Sequence, residues 1–353
     1  LGGMYANRIH LVSSDKGVGV NLGNLSARQG DIRLDASGKL VLKDSLASGS
    51  LTAKGEGVAL AGSHKTGAAI RVDSGQDMAL DNATLASDGS LTLKSQGSLS
   101  VNGSGLTSGA DMALAAKTLQ VETGSRADAA GGLSLDATDL TSRGTLISGG
   151  AATIHAGTFR NAGTLAASEE LSASANSLNN SGTLQGKRLD LESGDIDNQG
   201  TLVAKDTLAL RSGTPTTGAD SLLSGEGKIA LSVRESADLA GKINAGGDLN
   251  LRSGALQTRS TAQLQSTGNI SLAADNAALD GTHAAKGSLD VRAQTLRHGG
   301  KSSAADIALS AAEALSNGGT LVADTLTLRG QKVVNSGLMQ GSNALSLDTL
   351  TLD

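Results

Sequence analysis

The sequence predicts an all-β fold, namely a right-handed single-stranded parallel β-helix with coils of about 18–21 residues and three short strands per coil. Composition is the first observation behind this prediction, because the 353 residues include 48 Gly but only two aromatic residues, Tyr5 and Phe159. Ordinary globular domains rely on aromatic side chains, which bury the most area per residue. A conventional enzyme domain is therefore disfavoured, whereas a hydrophobic content of 38% is too high for a disordered linker.

The second observation is a pair of apolar residues, separated by one residue, that recurs along the chain. Successive pairs are 18 to 21 residues apart, and they begin at Ile32, Leu51, Ile70, Leu91, Met112, Leu133, Ala152, Leu171, Leu189, Leu208, Ile229, Leu249, Ile270, Leu289, Ile307, Leu326 and Leu345. Residues one interval apart are expected to lie directly above one another. Leu171, Leu189 and Leu208 are consecutive members of the resulting predicted core column.

The third observation is that other residue types keep the same interval. Further core columns are predicted for Leu165, Leu184 and Leu202, and for Leu178 and Ile196; turn or ladder positions are predicted for Asn161, Asn180, Asn198, Gly163, Gly182 and Gly200. Each segment alternates apolar and polar residues with period 2, which is typical of half-buried strands. Gly, Asn and Ser separate the segments and tolerate tight turns. The Asn residues are interpreted as a ladder of side-chain amides running from coil to coil.

A leucine-rich-repeat horseshoe is the main alternative fold, because it also has a period of twenty-odd residues. That repeat requires Leu-x-x-Leu-x-Leu-x-x-Asn and a return segment that can be helical. Here the Asn comes just before Gly-Thr-Leu, and the rest of the unit is rich in Ser, Thr, Gly and Asp, which form helices poorly. The β-helix is therefore favoured.

The sequence offers no catalytic, cofactor-binding or metal-binding residues. It contains no Cys, and its five His residues lack the spacing of a zinc site. His283 takes a position that Leu fills in other coils and is interpreted as pointing outward near a turn, while Pro215 is expected in a bulging turn. A net charge of −5 without a basic block disfavours nucleic-acid binding. No apolar run approaches the roughly 18 residues of a membrane span.

The amino-terminal residues resemble the filamentous haemagglutinin family. The resemblance lies in Gly2-Gly3-Met4-Tyr5-Ala6-Asn7 and in Gly17-Val18-Gly19-Val20, which look like the junction between that family's secretion domain and its repeat shaft. The later Asn-x-Gly-Thr-Leu coils are similar to its haemagglutinin repeats. Residues 1–30 are therefore predicted to be the end of the junction with the first coils, and residues 31–353 one continuous solenoid of about seventeen coils.

The resemblance implies a segment of a large bacterial exoprotein, secreted or held at the cell surface after two-partner export through an outer-membrane transporter. Family members include adhesins and contact-dependent growth-inhibition toxins, so distal regions are expected to contact a receptor on a host cell or a neighbouring bacterium. The expected role is a non-enzymatic stalk. One alternative is a shaft surface that itself binds a host glycan or receptor, although no aromatic platform or basic strip is evident. A less favoured one is a polysaccharide-degrading β-helix enzyme, which needs clustered carboxylates under long loops.

Overall fold

The structure, a computed structural model, describes residues 3–15 and 17–352. Leu1, Gly2, Lys16 and Asp353 lie outside the described residues, so part of the family-like amino-terminal segment is not covered. The chain divides into two compact units, Leu1–Ala175 and Asn176–Asp353. All the regular elements of the described residues are β-strands.

Unit 1 is built from short strands that pair in parallel with strands of the adjacent coils. Met112 is aligned with Leu133, and Leu133 with Ala152, which are the residues predicted to stack. The strands are β1 (Met4–Ala6), β2 (Ile9–Ser13), β3 (Val20–Ala27), β4 (Ile32–Ala36), β5 (Leu40–Ala47), β6 (Leu51–Gly55), β7 (Val58–Thr66), β8 (Ile70–Ser74), β9 (Met78–Ser87), β10 (Leu91–Ser95), β11 (Ser98–Asn102), β12 (Gly105–Ser108), β13 (Met112–Val121), β14 (Arg126–Ala129), β15 (Leu133–Ser142), β16 (Thr145–Ser148), β17 (Ala152–Asn161) and β18 (Thr164–Ala167); β19 (Glu170–Asn180) contains the division between the units.

Unit 2 repeats the same parallel pairing. Leu208 is aligned with Leu189 in one neighbouring coil and with Ile229 in the other. Its strands are β20 (Thr183–Asn198), β21 (Thr201–Thr217), β22 (Leu222–Gly225), β23 (Ile229–Val233), β24 (Ser236–Leu239), β25 (Lys242–Ala245), β26 (Leu249–Thr258), β27 (Gln263–Ser266), β28 (Ile270–Leu279), β29 (Thr282–Ala285), β30 (Ser288–His298), β31 (Lys301–Asn317), β32 (Thr320–Asn335) and β33 (Leu338–Leu352).

Both units place alternate residues of most strands in an aliphatic interior. In β15, Leu133 and Leu135 are buried while Ser134 and Asp136 are exposed. Since the period of the strand is 2, one face of such a strand reaches the interior and the other faces solvent. The predicted all-β parallel solenoid is confirmed, with about 18 turns in total. The boundary at residue 30 stays a prediction, and β2 already stacks in register on β4 across it.

Several strands continue around corners where separate strands were expected. β21 contains 17 residues and would be about 56 Å long if it were straight. Thr201 at its start is aligned with Leu222 of the next coil, so the strand must bend through most of a turn. The parallel pairing of β21 with β20 is interrupted only by a register shift between Gly186 and Arg188 of β20. The hydrogen bonds between coils therefore continue through the bend.

Pro215 is not in a turn, and that expectation is wrong. It is a buried residue of β21 and is aligned with Ile196, whose interior column it continues. The extra residues of this coil lie between Gly218 and Ser221, where the Ser221 N–H donates to the Gly218 carbonyl at 3.1 Å. An extended strand tolerates the fixed φ of proline, so the ring can fill a core position.

Candidate functional site

The predicted core residues all lie inside the coils. None is more than 1% exposed among Leu165, Leu171, Leu178, Leu184, Leu189, Ile196, Leu202 and Leu208. Within unit 2, Leu184 is aligned with Leu202 and Leu189 with Leu208. In these two pairs each side chain packs on its counterpart one coil away, which gives the aliphatic contacts on which the stack depends.

The Asn residues lie buried at one corner of the coil. Asn180 Nδ2 donates to Asn198 Oδ1 at 2.8 Å, and Asn198 Nδ2 donates to the Gly200 carbonyl at 3.1 Å. In unit 1, Asn161 Nδ2 lies 3.3 Å from the Gly163 carbonyl. These buried amides thus find hydrogen-bond partners in the turn carbonyls and in the amide of the adjacent coil.

The glycines at this corner lie against the backbone of the neighbouring coil. A Cβ atom on Gly163 would be 2.0 Å from the Gly144 carbonyl oxygen, and one on Gly200 would be 2.2 Å from that of Gly182. No other residue type fits these distances without shifting a coil. Gly200 therefore packs directly against the backbone carbonyl of Gly182.

Replacing Gly200 with Ala is expected to destabilise unit 2 by about 1–3 kcal/mol, because the methyl group must push two coils apart. The matched control is Gly318→Ala, since a Cβ there would come no closer than 3.6 Å to Ser336 Oγ. Urea unfolding followed by circular dichroism measures both. Equal midpoints for the two variants would contradict the close-packed corner.

Sequence reasoning missed a set of acidic caps that join successive coils. Asp77 Oδ1 accepts the Ser98 N–H at 2.7 Å, and Asp248 Oδ1 accepts the Asn269 N–H at 2.8 Å. The hydrogen bonds from the Ser98 backbone N–H and hydroxyl lower the pKa of Asp77. The available signal was an Asp or Asn immediately before the apolar residue that begins a strand, and it recurs at Asp31, Asp77, Asp111, Asp248 and Asn269.

The expectation that His283 points outward is also wrong. His283 is 0% exposed, is aligned with Leu264, and has Nε2 2.9 Å from Thr258 Oγ1. His64 in unit 1 is likewise 0% exposed, with Nδ1 2.9 Å from Ser45 Oγ. Hydroxyl groups from adjacent coils and, for His64, the Ala61 carbonyl satisfy the ring nitrogens, so a neutral imidazole can replace an aliphatic side chain.

Titratable side chains of the described residues form ion pairs on the surface and no candidate metal cluster. Among the residues that the structure describes, no three His, Asp or Glu side chains come together as metal ligands. Over the same residues there is no helix with the length and apolar character needed to cross a membrane. Charged side chains pair instead on the outer surface, as Arg211 Nη2 does with Asp190 Oδ1 at 2.7 Å.

Two shallow grooves lie on the outer faces. A groove of about 480 Å³ in unit 2 has Asn244, Gln265 and Ser224 among its lining residues. A groove of about 340 Å³ in unit 1 is lined by residues that include Tyr5, Asn24, Asp44, Leu46 and Lys65.

The unit 1 groove follows one outward column of the coils. Tyr5 is aligned with Ser26, Ser26 with Leu46, and Leu46 with Lys65. Tyr5 is 65% exposed and Leu46 is 55% exposed. Residues so far apart in sequence could be placed together only once the coil register was known.

In this parallel β-solenoid, residues one coil apart in sequence stack on one another in the core and at the corners. Such an architecture defines a structural repeat protein. A family model described as "Haemagglutinin repeat" matches residues 2–44, 42–124, 128–239, 216–292 and 281–352. The chain belongs to this haemagglutinin-repeat family, which confirms the resemblance carried by its amino-terminal motif and Asn-x-Gly-Thr-Leu coils.

The chain is similar over most of its length to large CdiA proteins. It is 32% identical to the 16S rRNA endonuclease CdiA of Enterobacter cloacae, over 98% of this chain and 10% of the relative. It is 36% identical to Toxin CdiA of Escherichia coli, over 89% and 12%, and 37% identical to a tRNA nuclease CdiA of Escherichia coli strain STEC_O31, over 89% and 11%. The chain thus spans about a tenth of the length of these relatives. No solved structure matches it.

Proposed function

We propose that the chain is a stalk segment of a large secreted bacterial exoprotein, which holds a distal toxic or adhesive module away from the cell. The observation that carries this proposal is the in-register stacking of coils on aliphatic columns, as for Leu189 and Leu208. A repeat architecture of this kind lengthens by about 4.8 Å for each coil added. The nuclease activities named for the relatives belong to those proteins, and the stalk would present such a module without contributing chemistry.

Export through an outer-membrane two-partner transporter is part of the same proposal, as is a final location at the bacterial surface. The coils fit this route because each one makes its contacts with the coils directly above and below. A chain that emerges unfolded can therefore add one coil at a time to an existing template. Contact with a host-cell or neighbouring-bacterium receptor is assigned to distal regions.

The stalk role is tested by changing the number of coils in the parent exoprotein. Residues 51–170 comprise whole coils, from Leu51 to the residue before Leu171. Duplicating this block keeps every apolar pair in register and is expected to lengthen the shaft by about 29 Å per copy, from six coils of about 4.8 Å. Electron cryotomography of the cell surface measures the length.

Two results would contradict the stalk role. One is a length that does not increase with the number of copies. The other is unchanged target-cell killing or adhesion after an in-register deletion that shortens the shaft to a few coils. An out-of-register deletion of residues 112–121, which removes β13 alone, is the control for misfolding.

The unit 1 groove, which contains Tyr5, favours a second candidate function, namely binding of a glycan by the shaft itself. Tyr5 is the only exposed aromatic residue, since Phe159 is 0% exposed and the sequence has no Trp. An aromatic ring and Leu46 in one groove, lined also by Asn24 and Lys65, combine an apolar platform with the few polar groups typical of a ligand site. Neither groove is lined by two carboxylates, so cleavage of a polysaccharide gains no support from them.

Glycan-array binding by the isolated 353-residue chain tests this candidate. Binding to a defined glycan is expected to fall at least tenfold in Tyr5→Ala and to be kept in Gln265→Ala, which alters the other groove. Absence of binding to any glycan by the parent sequence excludes the candidate and leaves the stalk proposal unaffected.

A further inference from the structure

Two places inside the solenoid replace stacked leucines with hydrogen-bonded polar side chains that include histidine. In unit 2, His283 is aligned with Leu264 on one side and Ser302 on the other, and His298 is aligned with Leu279 and Asn317. Both rings are 0% exposed, and their centroids are 6.4 Å apart. The histidine cluster is defined as Thr258, His283, His298, Ser302, Asn317 and Asn335.

The hydrogen bonds of the histidine cluster form one chain. His283 Nε2 is 2.9 Å from Thr258 Oγ1, and His283 Nδ1 is 3.2 Å from Ser302 Oγ. Ser302 Oγ is 2.9 Å from His298 Nε2, and His298 Nδ1 is 2.7 Å from Asn317 Oδ1. Asn317 Nδ2 donates to Asn335 Oδ1 at 2.7 Å.

These partners assign the protons when both rings are neutral. Asn317 Oδ1 can only accept, so His298 carries its proton on Nδ1 and its Nε2 accepts from the Ser302 hydroxyl. Ser302 then accepts from His283 Nδ1–H, and His283 Nε2 accepts from the Thr258 hydroxyl. All the hydrogen bonds of the cluster therefore run in one direction, from Thr258 toward Asn335, and every donor faces an acceptor. A proton added to either ring places a second donor against a hydroxyl that already donates, and the chain must reorganise.

No carboxylate belongs to the cluster. Burial is the main reason why the pKa of His283 is lowered to about 3, and the charge of His298 lowers it further; burial also lowers the pKa of His298. Asp280 raises both values, but its carboxylate already pairs with Arg297. The charged residues within three positions of a member of the cluster are Arg259, Asp280, Lys286, Arg297, Lys301 and Lys332.

His64 in unit 1 has the same arrangement with a single ring. It is aligned with Ser45 and Leu85, one coil to either side. His64 Nε2 is 3.0 Å from the Ala61 carbonyl, which can only accept, so Nδ1 accepts from the Ser45 hydroxyl at 2.9 Å. Burial lowers the pKa of His64 to about 4. The charged groups around it, all on the outer face, are Lys43, Asp44, Lys65 and Asp81.

We propose that the histidine cluster and the Ser45–His64 pair are acid-sensitive points at which the solenoid opens locally, while coils stacked on aliphatic side chains alone stay closed. The proposal does not depend on the role of the shaft, because it concerns only the stability of particular coils.

The sign of the pH dependence follows from proton linkage. A buried neutral His binds fewer protons than the same residue in an opened coil, where its pKa is near 6.5. The contribution to stability is therefore complete above pH 6.5 and is lost as the pH falls toward the folded-state values of about 4 for His64 and about 3 for His283. Between pH 7 and pH 5, the opening equilibrium constant is expected to rise roughly twentyfold for each of these histidines.

Hydrogen exchange of the whole chain, measured by mass spectrometry at pH 7 and pH 5 and corrected for intrinsic rates, tests the proposal. Peptides from β7 and from β28 to β31 are expected to lose protection roughly twentyfold or more. Peptides from β13 to β17 are expected to stay unchanged. The hydrogen bonds from Ser98 lower the pKa of Asp77 below its ordinary value, so this cap stays ionised at pH 5 and its protonation does not contribute.

Variants separate the two sites from a general effect of acid. His64→Leu restores the column residue and is expected to remove the pH dependence in β7 only. His283→Gln keeps a hydrogen-bonding group without the titration and is expected to reduce the pH dependence in β28 to β31. His155→Gln, at an exposed position of β17, is the matched control and is expected to change nothing. A uniform loss of protection, or the same loss in His64→Leu and His283→Gln as in the parent, would overturn the proposal.

Discussion

Replacing Leu189 with Asp is expected to unfold the coils around β20 and β21. Leu189 is 1% exposed and aligned with Leu208, so the new carboxylate would lie in an aliphatic interior. The loss of leucine burial costs about 2 kcal/mol, and a buried unpaired carboxyl group costs several more. A sum of at least about 5 kcal/mol is comparable with the whole stability of a typical domain.

Thermal unfolding followed by circular dichroism measures this effect. The matched control is Leu338→Asp, the same chemical change at a position that is 55% exposed. It is expected to leave the midpoint within a few degrees of the parent. If Leu189→Asp melts like Leu338→Asp, the aliphatic column does not hold the coils together.

Replacing Phe159 with Ala is expected to destabilise unit 1 by about 3–5 kcal/mol. Phe159 is 0% exposed and is the largest fully buried side chain, in a column where Leu140 is its aligned neighbour. The removed ring leaves a cavity that the fixed spacing between coils prevents from collapsing. Urea unfolding of the whole chain, followed by circular dichroism, reports the loss.

The control for this prediction is Phe159→Leu, which restores the residue type of the column and is expected to cost less than about 1.5 kcal/mol. Hydrogen exchange in β15 and β17 locates the effect. A loss below about 1 kcal/mol for Phe159→Ala would mean that the ring is not closely packed.

The parallel solenoid could be predicted from the sequence because its coil length and its strand alternation are both periodic. The interval from Leu189 to Leu208 gives the register, and the period of 2 gives the buried face. Family membership followed from the same columns together with the amino-terminal motif. The period alone implied every long-range contact that the predictions of fold and family required.

Other features could not be predicted, because they depend on side chains that meet only after stacking. His283 belongs to the interior column that contains Leu264, but the polarity of its side chain suggested an outward position. Its buried position is explained by the hydroxyl groups of Thr258 and Ser302, which bind its ring nitrogens. Pro215 was assigned to a turn because the interval lengthens to 21 residues in its coil, whereas its alignment with Ile196 places it in the core. For His283 the interval was a better guide than the chemistry of the single residue. The unit 1 groove was missed because its members come from different coils.

The stacked Ser and His residues bear on how such a sequence can change over generations. Ser45 and His64 are 19 positions apart, as are His283 and Ser302, and in each case the hydroxyl of one coil satisfies the ring of the next. A histidine inside one coil is accommodated here by a hydroxyl group that the adjacent coil supplies. We therefore expect related chains to gain or lose such residues jointly, one full period apart, so that the heritable unit is a pair of adjacent coils and not a single repeat.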